Sequence, residues 1–421
     1  MDLTIKLLKY LLLPILVALP AIAFSQGDSL TEKKVLTLQE VVTAISQNPS
    51  LLAFDEKIQS YGAYAQGAKS WEAPKITGGY WMTPYNMEQN KNLGSLMIAA
   101  EQSIPNPAKQ RAEQNFMQGM SSVEETMKSF EWQDMIEEAK KTYYEWLVLE
   151  KQLKVLEESE RLITLMINSG EISYTYNQSM LGRVYKAKSE LYNLQNSQIV
   201  TRNEIRQKNI ELNTLMNINK AEVFTIDTTY MILNYEKVAI DTSTIIKNRS
   251  DLRNIDESIK LYGLKKSMEL SKRKPDFGIQ YWHMNMFGNQ PNQFTLMGMV
   301  TIPIVPWAAK GYNANIQGIK FETASLNRKK EAVLNKAIGK LEKTRSQIAS
   351  KKKQVDMYEK NIIPALQKNY NASLIAFEHM KEDMFMTIDA WQTLKMAKIE
   401  YLNLLGELLN MQVEYERQIE N

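Results

Sequence analysis

The chain has 421 residues with 44% hydrophobic and 24% charged side chains, the values of an ordered globular protein longer than one ordinary domain. Its 51 Lys plus Arg against 48 Asp plus Glu leave a net charge of +3, too balanced for the basic surface that nucleic-acid binding needs. With no cysteine, two histidines (His283, His379) and only 17 glycines, it excludes disulfides, thiolate zinc sites, cysteine nucleophiles and lipoprotein acylation, and it favours long helices over loops.

In chain order, Lys6 and Lys9 precede the apolar run from Leu11 to Phe24, and Ala23 and Ser25 lie just before a cut ahead of Gln26. That layout predicts a secretory signal peptide over residues 1–25. The run is too short, and too interrupted by Pro14 and Pro20, to reach the ~20 residues of a spanning helix. No later apolar run approaches that length, so any membrane crossing by the mature chain has to be made by β-strands.

The rest of the chain is written twice. Asp55/Asp256, Glu56/Glu257, Ile58/Ile259, Tyr61/Tyr262, Gly62/Gly263, Pro74/Pro275, Tyr80/Tyr281 and Trp81/Trp282 match without a gap. The reading is two related repeats, 26–235 and 236–421, each running helix, strand, strand, helix, helix. A period this long is duplication of a whole unit, since solenoid repeats are about 20–50 residues. In the first repeat Thr37 caps a helix with Glu40 three residues on, and the helix stops before Pro74.

Two β-hairpins follow, over 75–105 and 276–304, built of segments about ten residues long, rich in Tyr, Trp, Phe, Ile and Val and joined by polar loops, 86–94 and 288–292. The last segment alternates, with Leu296, Gly298, Val300, Ile302 and Ile304 on one face and Thr295, Met297, Met299 and Thr301 on the other. One face suits lipid, and about ten residues suit a tilted membrane strand. A small soluble sheet capping a helical bundle is the alternative. After each hairpin the sequence predicts a long helical hairpin, 107–216 and 307–420, with a coiled-coil-like stripe through Phe116, Met120, Val123, Met127 and Phe130. The fold-backs are expected at Ser169-Gly170 and between His379 and Asp383, and Pro364 is expected to kink the second rod.

At this point the chain resembles the TolC-like outer-membrane efflux proteins over nearly its whole mature length. The resemblance rests on Leu38-Gln39-Glu40-Val41-Val42 through Asn48-Pro49-Ser50-Leu51, on Arg249-Ser250-Asp251-Leu252-Arg253 with Ser250 in the usual proline position, on Ile302-Pro303-Ile304 through Gly311, and on the segment from Phe377 to Gln392. It implies a mainly α fold with a small β part: a homotrimer in which helical hairpins form an α-barrel through the periplasm and four strands per chain close a 12-stranded barrel in outer-membrane lipid. It implies partners too, a periplasmic adaptor and an inner-membrane pump of the RND or ABC type, in a Gram-negative cell. Physics also demands oligomerisation, because four strands cannot close a barrel and an open edge in lipid strands backbone polar groups.

The resemblance places a pore constriction at Asp389 and adaptor contacts on the tips, Asn168, Ser169, Gly170, Tyr174, Phe377, His379, Met380, Lys381 and Asp383. Tyr80, Trp81, Tyr281 and Trp282 read as barrel aromatics. The 23 methionines include His283-neighbouring Met284 and Met286, and thioethers suit Cu(I) or Ag(I), so a heavy-metal efflux component is one alternative, and a periplasmic coiled-coil scaffold outside the membrane is another. Met is also the ordinary filler of helical interfaces. The sequence has no P-loop, nucleophile elbow, HExxH or dinucleotide loop, so no enzyme, no cofactor and no resident metal are expected.

Overall fold

A computed structural model describes residues 34–174, 181–235, 241–379 and 381–420. The expected signal segment, Met380 and the side chain of Tyr174 lie outside the described residues. Val35–Asn421 make one compact unit. Among the described residues no helix is long and apolar enough to cross a membrane.

The two repeats open alike. Thr37 accepts from the Glu40 N–H while Glu40 reaches back to the Thr37 N–H at 2.8 Å, so the capping box starts α1 (Leu38–Ile45) as the sequence predicts. The one helix expected from Thr37 to before Pro74 is instead two: α1 ends at Ile45, and Asn48 caps α2 (Pro49–Gly67), whose first residue is a proline that loses no helical bond there but cannot continue the preceding helix. In the second repeat Asp241 caps α5 (Thr242–Asn248) and Arg249 precedes α6 (Ser250–Ser271). Ser250 takes the place of Pro49 because its N–H is in use, donating to a Glu420 carboxylate oxygen at 2.8 Å. The duplication extends to an ion pair that joins each ascending helix to its rod: Lys128 bridges both oxygens of Asp55 at 2.5 and 2.7 Å, and Lys330 both oxygens of Asp256 at 2.6 and 2.8 Å.

The rods follow. Helix α3 (Pro107–Tyr174) has 68 residues, about 102 Å at 1.5 Å per residue, and α4 (Leu181–Leu215) returns beside it. Helix α7 (Pro306–Met357) is continued through a π-helical turn, Tyr358–Ile362, into α8 (Ile363–Glu378), and α9 (Met384–Ile419) returns. The π turn absorbs Pro364, whose ring and missing N–H break the α-ladder there. The first rod runs past the expected fold-back: Ser169 and Gly170 are still helical, and α3 continues to Tyr174.

Helix α3 packs on α2, α6, α4 and α9; α7 packs on α6 and α9, and α8 on α9. Three apolar clusters hold them. One at the waist includes Trp146, Leu147, Leu405 and Leu409; a second includes Leu252, Leu341, Ile348 and Leu408; a third near the tips includes Ile163, Val184, Met384 and Trp391. The waist also carries β1 (Val35–Leu36), parallel to β4 (Thr225–Ile226). Tyr143 on α3 fastens both, its hydroxyl donating to the Leu36 carbonyl at 3.1 Å and the Asp227 carbonyl at 2.9 Å.

The four long strands, β2 (Lys75–Trp81), β3 (Ser95–Ile104), β5 (Asp276–Met286) and β6 (Gln293–Thr301), form one antiparallel sheet in the order β2-β3-β5-β6. The two hairpins thus join through β3 and β5, clamped at the base by Lys109 to Asp276 at 2.5 Å and by the Asn106 side-chain amide to the Pro275 carbonyl at 2.8 Å. At the far end Gly288 has φ +72° and a Cβ there would stand 2.5 Å from Asn92, so the two hairpin loops meet where only glycine fits.

Candidate channel wall and inner constriction

The pairing register assigns the sheet two faces. Ile76 lies beside Ala100, Tyr281 and Leu296, and Gly78 beside Ile98, His283 and Phe294; Tyr80, Leu96, Phe277, Ile279 and Val300 share this face. It is apolar and bare, with Ile76 76% and Leu296 65% exposed. The other face mixes polar and small residues, Lys75, Thr77, Gly79, Ser95, Ala99, Glu101, Gln280, Gln293, Thr295 and Thr301, with Trp81, Trp282 and five methionines. Apolar-out and polar-in alternation is what a membrane barrel wall shows.

The same register separates residues that the sequence placed together. Tyr80 and Tyr281 stand on the apolar face, but Trp81 and Trp282 stand on the opposite one, with ring centroids 5.4 Å apart in an edge-to-face contact. The four aromatics therefore do not form one outer belt, since neighbours in a strand point to opposite sides. His283 is likewise parted from Met284 and Met286, which instead share the face of the tryptophans with Met97, Met297 and Met299. Among the described residues no cluster of His, Cys, Asp and Glu could hold a metal ion.

At the other end of the rods the helical-hairpin tips are tied together. Asp383 caps α9 through the Phe385 N–H at 3.0 Å and pairs with Arg183 on α4 at 2.7 Å. Lys186 lies over the Phe385 ring at 4.0 Å from its centroid. Of the expected tip residues, Asn168, Ser169, His379 and Lys381 are exposed, and Phe377 is partly buried against the tip cluster. Gly170 is buried: a Cβ would stand 3.1 Å from the Met384 sulfur and 3.2 Å from Val184, so it lies inside α3 where side chains of α4 and α9 pack closely on it, and is not a turn. Arg183, Lys186 and Phe385 were not singled out from the sequence: Arg183 and Lys186 open α4 and Phe385 opens α9, about 200 residues apart, and no local pattern pairs them.

Asp389 projects from α9 on a solvent-facing stripe with Phe385, Met386, Thr393, Met396 and Glu400, while Ile388, Ala390, Trp391 and Leu394 face the core. The opposite face of α9 is the one that packs on α3, α7 and α8. The neighbouring Lys395, half-buried with its ammonium 4.8 Å from the Trp391 ring centroid, has its pKa lowered by burial.

No protein-family model and no curated protein sequence matches this chain. Solved structures do. The CmeC outer-membrane channel of Campylobacter jejuni superposes with a TM-score of 0.69 at 14% identity, over 91% of this chain and 85% of that one. The outer-membrane protein VceC of Vibrio cholerae gives 0.70 at 11% identity, over 91% and 96%. The open state of the MtrE outer-membrane channel of Neisseria gonorrhoeae gives 0.66 at 13%, over 91% and 89%. Helical rods, tip-to-tip ties and a two-faced four-stranded sheet, matched nearly end to end, give this chain the fold of those outer-membrane channels, the TolC-like fold that its sequence resembles.

Proposed function

We propose that this protein is the outer-membrane channel of a tripartite efflux or secretion system, a passive homotrimeric duct across the outer membrane and periplasm, coupled to an inner-membrane pump of the RND or ABC type through a periplasmic adaptor at the helical tips. The carrying observation is a single-layer sheet with one bare apolar face and two unpaired outer strands, β2 and β6. In water such a face and such edges invite aggregation; in lipid the face is satisfied and the edges need only each other. That favours a membrane duct over a periplasmic scaffold.

Helix edges agree with strand edges. First-repeat elements, α2 and α4, border one side of the rods, packed chiefly on α3, while second-repeat elements, α7 and α8, border the other. Side β2/α2/α4 of one copy can therefore meet side β6/α7/α8 of the next, a head-to-tail contact that rotation closes into a ring. Helix α4 carries an exposed stripe for that contact, Tyr185, Tyr192 and Ile199, spaced by seven as in a coiled coil. The facing rod exposes Met357 and Ile375. Three copies bring three times four strands, a twelve-stranded barrel.

The test is the mass and partitioning of the mature protein. A detergent-extracted trimer in the outer-membrane fraction is expected; a monomer soluble without detergent refutes the proposal.

A further inference from the structure

We propose that the barrel holds a second constriction, an uncharged collar of indoles and thioethers that favours bulky aromatic cations over small hydrated ions; it rests on the duct reading above. The inner face of the sheet is ordered in layers by its register. Nearest the outer loops lie Trp81, Ser95 and Met286; then Gly79, Met97, Met284 and Gln293; then Thr77, Ala99, Trp282 and Thr295. No ionisable side chain occurs in these layers. The next layer brings the cross-strand pair Lys75 and Glu101, with Gln280 and Met297. Layers on one face are about 6.8 Å apart, so the uncharged band is about 14 Å deep.

An aqueous lumen needs none of these large apolar groups, because the inner face of a water-filled barrel is ordinarily polar. Here Trp81 and Trp282, two strands apart, lean together across β3, and Ser95 and Ala99 beneath them are 1% and 6% exposed in a sheet that has no second layer. Trp282 Nε1 has no hydrogen-bond partner among the described residues. Threefold repetition sets indoles and thioethers around the wall, with no carboxylate or ammonium to replace an ion's water. A small hydrated ion meets a dewetting barrier there. A flat or cationic aromatic group is instead received by indole faces, which attract cations through their quadrupole, and by methionines that adapt to its shape.

The experiment uses the purified full-length channel in planar bilayers, with tetraphenylphosphonium and tetraethylammonium as probes of equal charge. In the parent, tetraphenylphosphonium should block at a concentration at least about tenfold lower, because only its phenyl groups can stack on the indoles; tenfold is about the size of one aromatic–aromatic contact. Trp81→Thr with Trp282→Thr, residues of a kind already present on this face, should erase most of that preference and raise potassium chloride conductance. Met97→Thr, which leaves both indoles in place, should give an intermediate result even if the double variant assembles poorly. Tyr80→Phe, on the opposite face, should change nothing. Pores that block equally with both ions, or that keep the preference without the tryptophans, overturn the collar and leave the duct standing. Absence of pores overturns both.

Discussion

Ser250 stands where the resemblance calls for proline, and restoring that proline should harm this protein. The backbone at Arg249, φ −61° and ψ 121°, already suits a residue before proline, so Ser250→Pro strains nothing locally. By stiffening the unfolded chain alone it would stabilise by about 0.4–1 kcal/mol. Against this, Ser250 is fully buried and gives Glu420 two hydrogen bonds, from its N–H at 2.8 Å and its hydroxyl at 3.1 Å. A bond to a charged acceptor contributes about 1.5–3 kcal/mol, and two bonds to one carboxylate do not add fully. The same carboxylate pairs with Arg417, which also holds Asp134 at 2.6 Å, so the loss falls on a buried ionic network. The balance is about 1–2 kcal/mol of destabilisation. Apparent melting midpoints of detergent-solubilised protein, compared at one scan rate because unfolding of such a chain is kinetically controlled, should drop for Ser250→Pro and less for Ser250→Ala. With Glu420→Ala already in place, Ser250→Pro should raise the midpoint, since proline then removes an orphaned donor. A higher midpoint for Ser250→Pro in the parent would refute the account.

Burial, and next Asp227, push the Tyr143 phenol up to about 12. The stability that Tyr143 lends the waist is complete below the ordinary tyrosine value of about 10 and is lost as pH rises through about 12; Tyr143→Phe should cost about 1–2 kcal/mol at neutral pH and flatten that stretch of the alkaline unfolding curve. Lys128→Ala and Lys330→Ala should destabilise equally, by about 0.2–1 kcal/mol each as partly exposed pairs, and markedly unequal effects would show that the two repeats do not bear load alike. Asp389→Asn should weaken block of single channels by multivalent cations without altering barrel assembly; unchanged block would make Asp389 an ordinary surface carboxylate.

The local chemistry that the sequence states outright survived folding: the Thr37 and Glu40 capping box, the β-rich segments before each rod, and a proline in α8 that the helix had to accommodate. Which way a side chain faces was legible only where alternation was strict, as in Leu296 to Thr301. Adjacent aromatics such as Tyr80-Trp81 look like one feature in a sequence, and pleating divides them. Gly170 misled for a related reason. A glycine beside a serine is the mark of a turn, yet this one is small so that three helices can touch, a requirement set by Val184 and Met384 from distant stretches of chain. The ties at the tips, Arg183 to Asp383 and Lys186 over Phe385, were hidden because each partner lies about 200 residues from the other, and nothing in local pattern links them.

The β3/β5 junction changes how the proposed ring comes into being. Each chain carries two similar units already fastened edge to edge, so half of the ring's unit-to-unit seams are closed by the act of folding, at any protein concentration. Only the β6-to-β2 seams await encounters between molecules. A ring of six undoubled units would need five associations in place of two, each surrendering the translational and rotational freedom of a free molecule, a loss of about 4–15 kcal/mol. Assembly should accordingly depend on the third power of monomer concentration, not the sixth, an advantage for a protein that must gather in a dilute compartment. Covalent doubling also frees the two units to differ, and Pro49 facing Ser250 across the repeat records one such divergence.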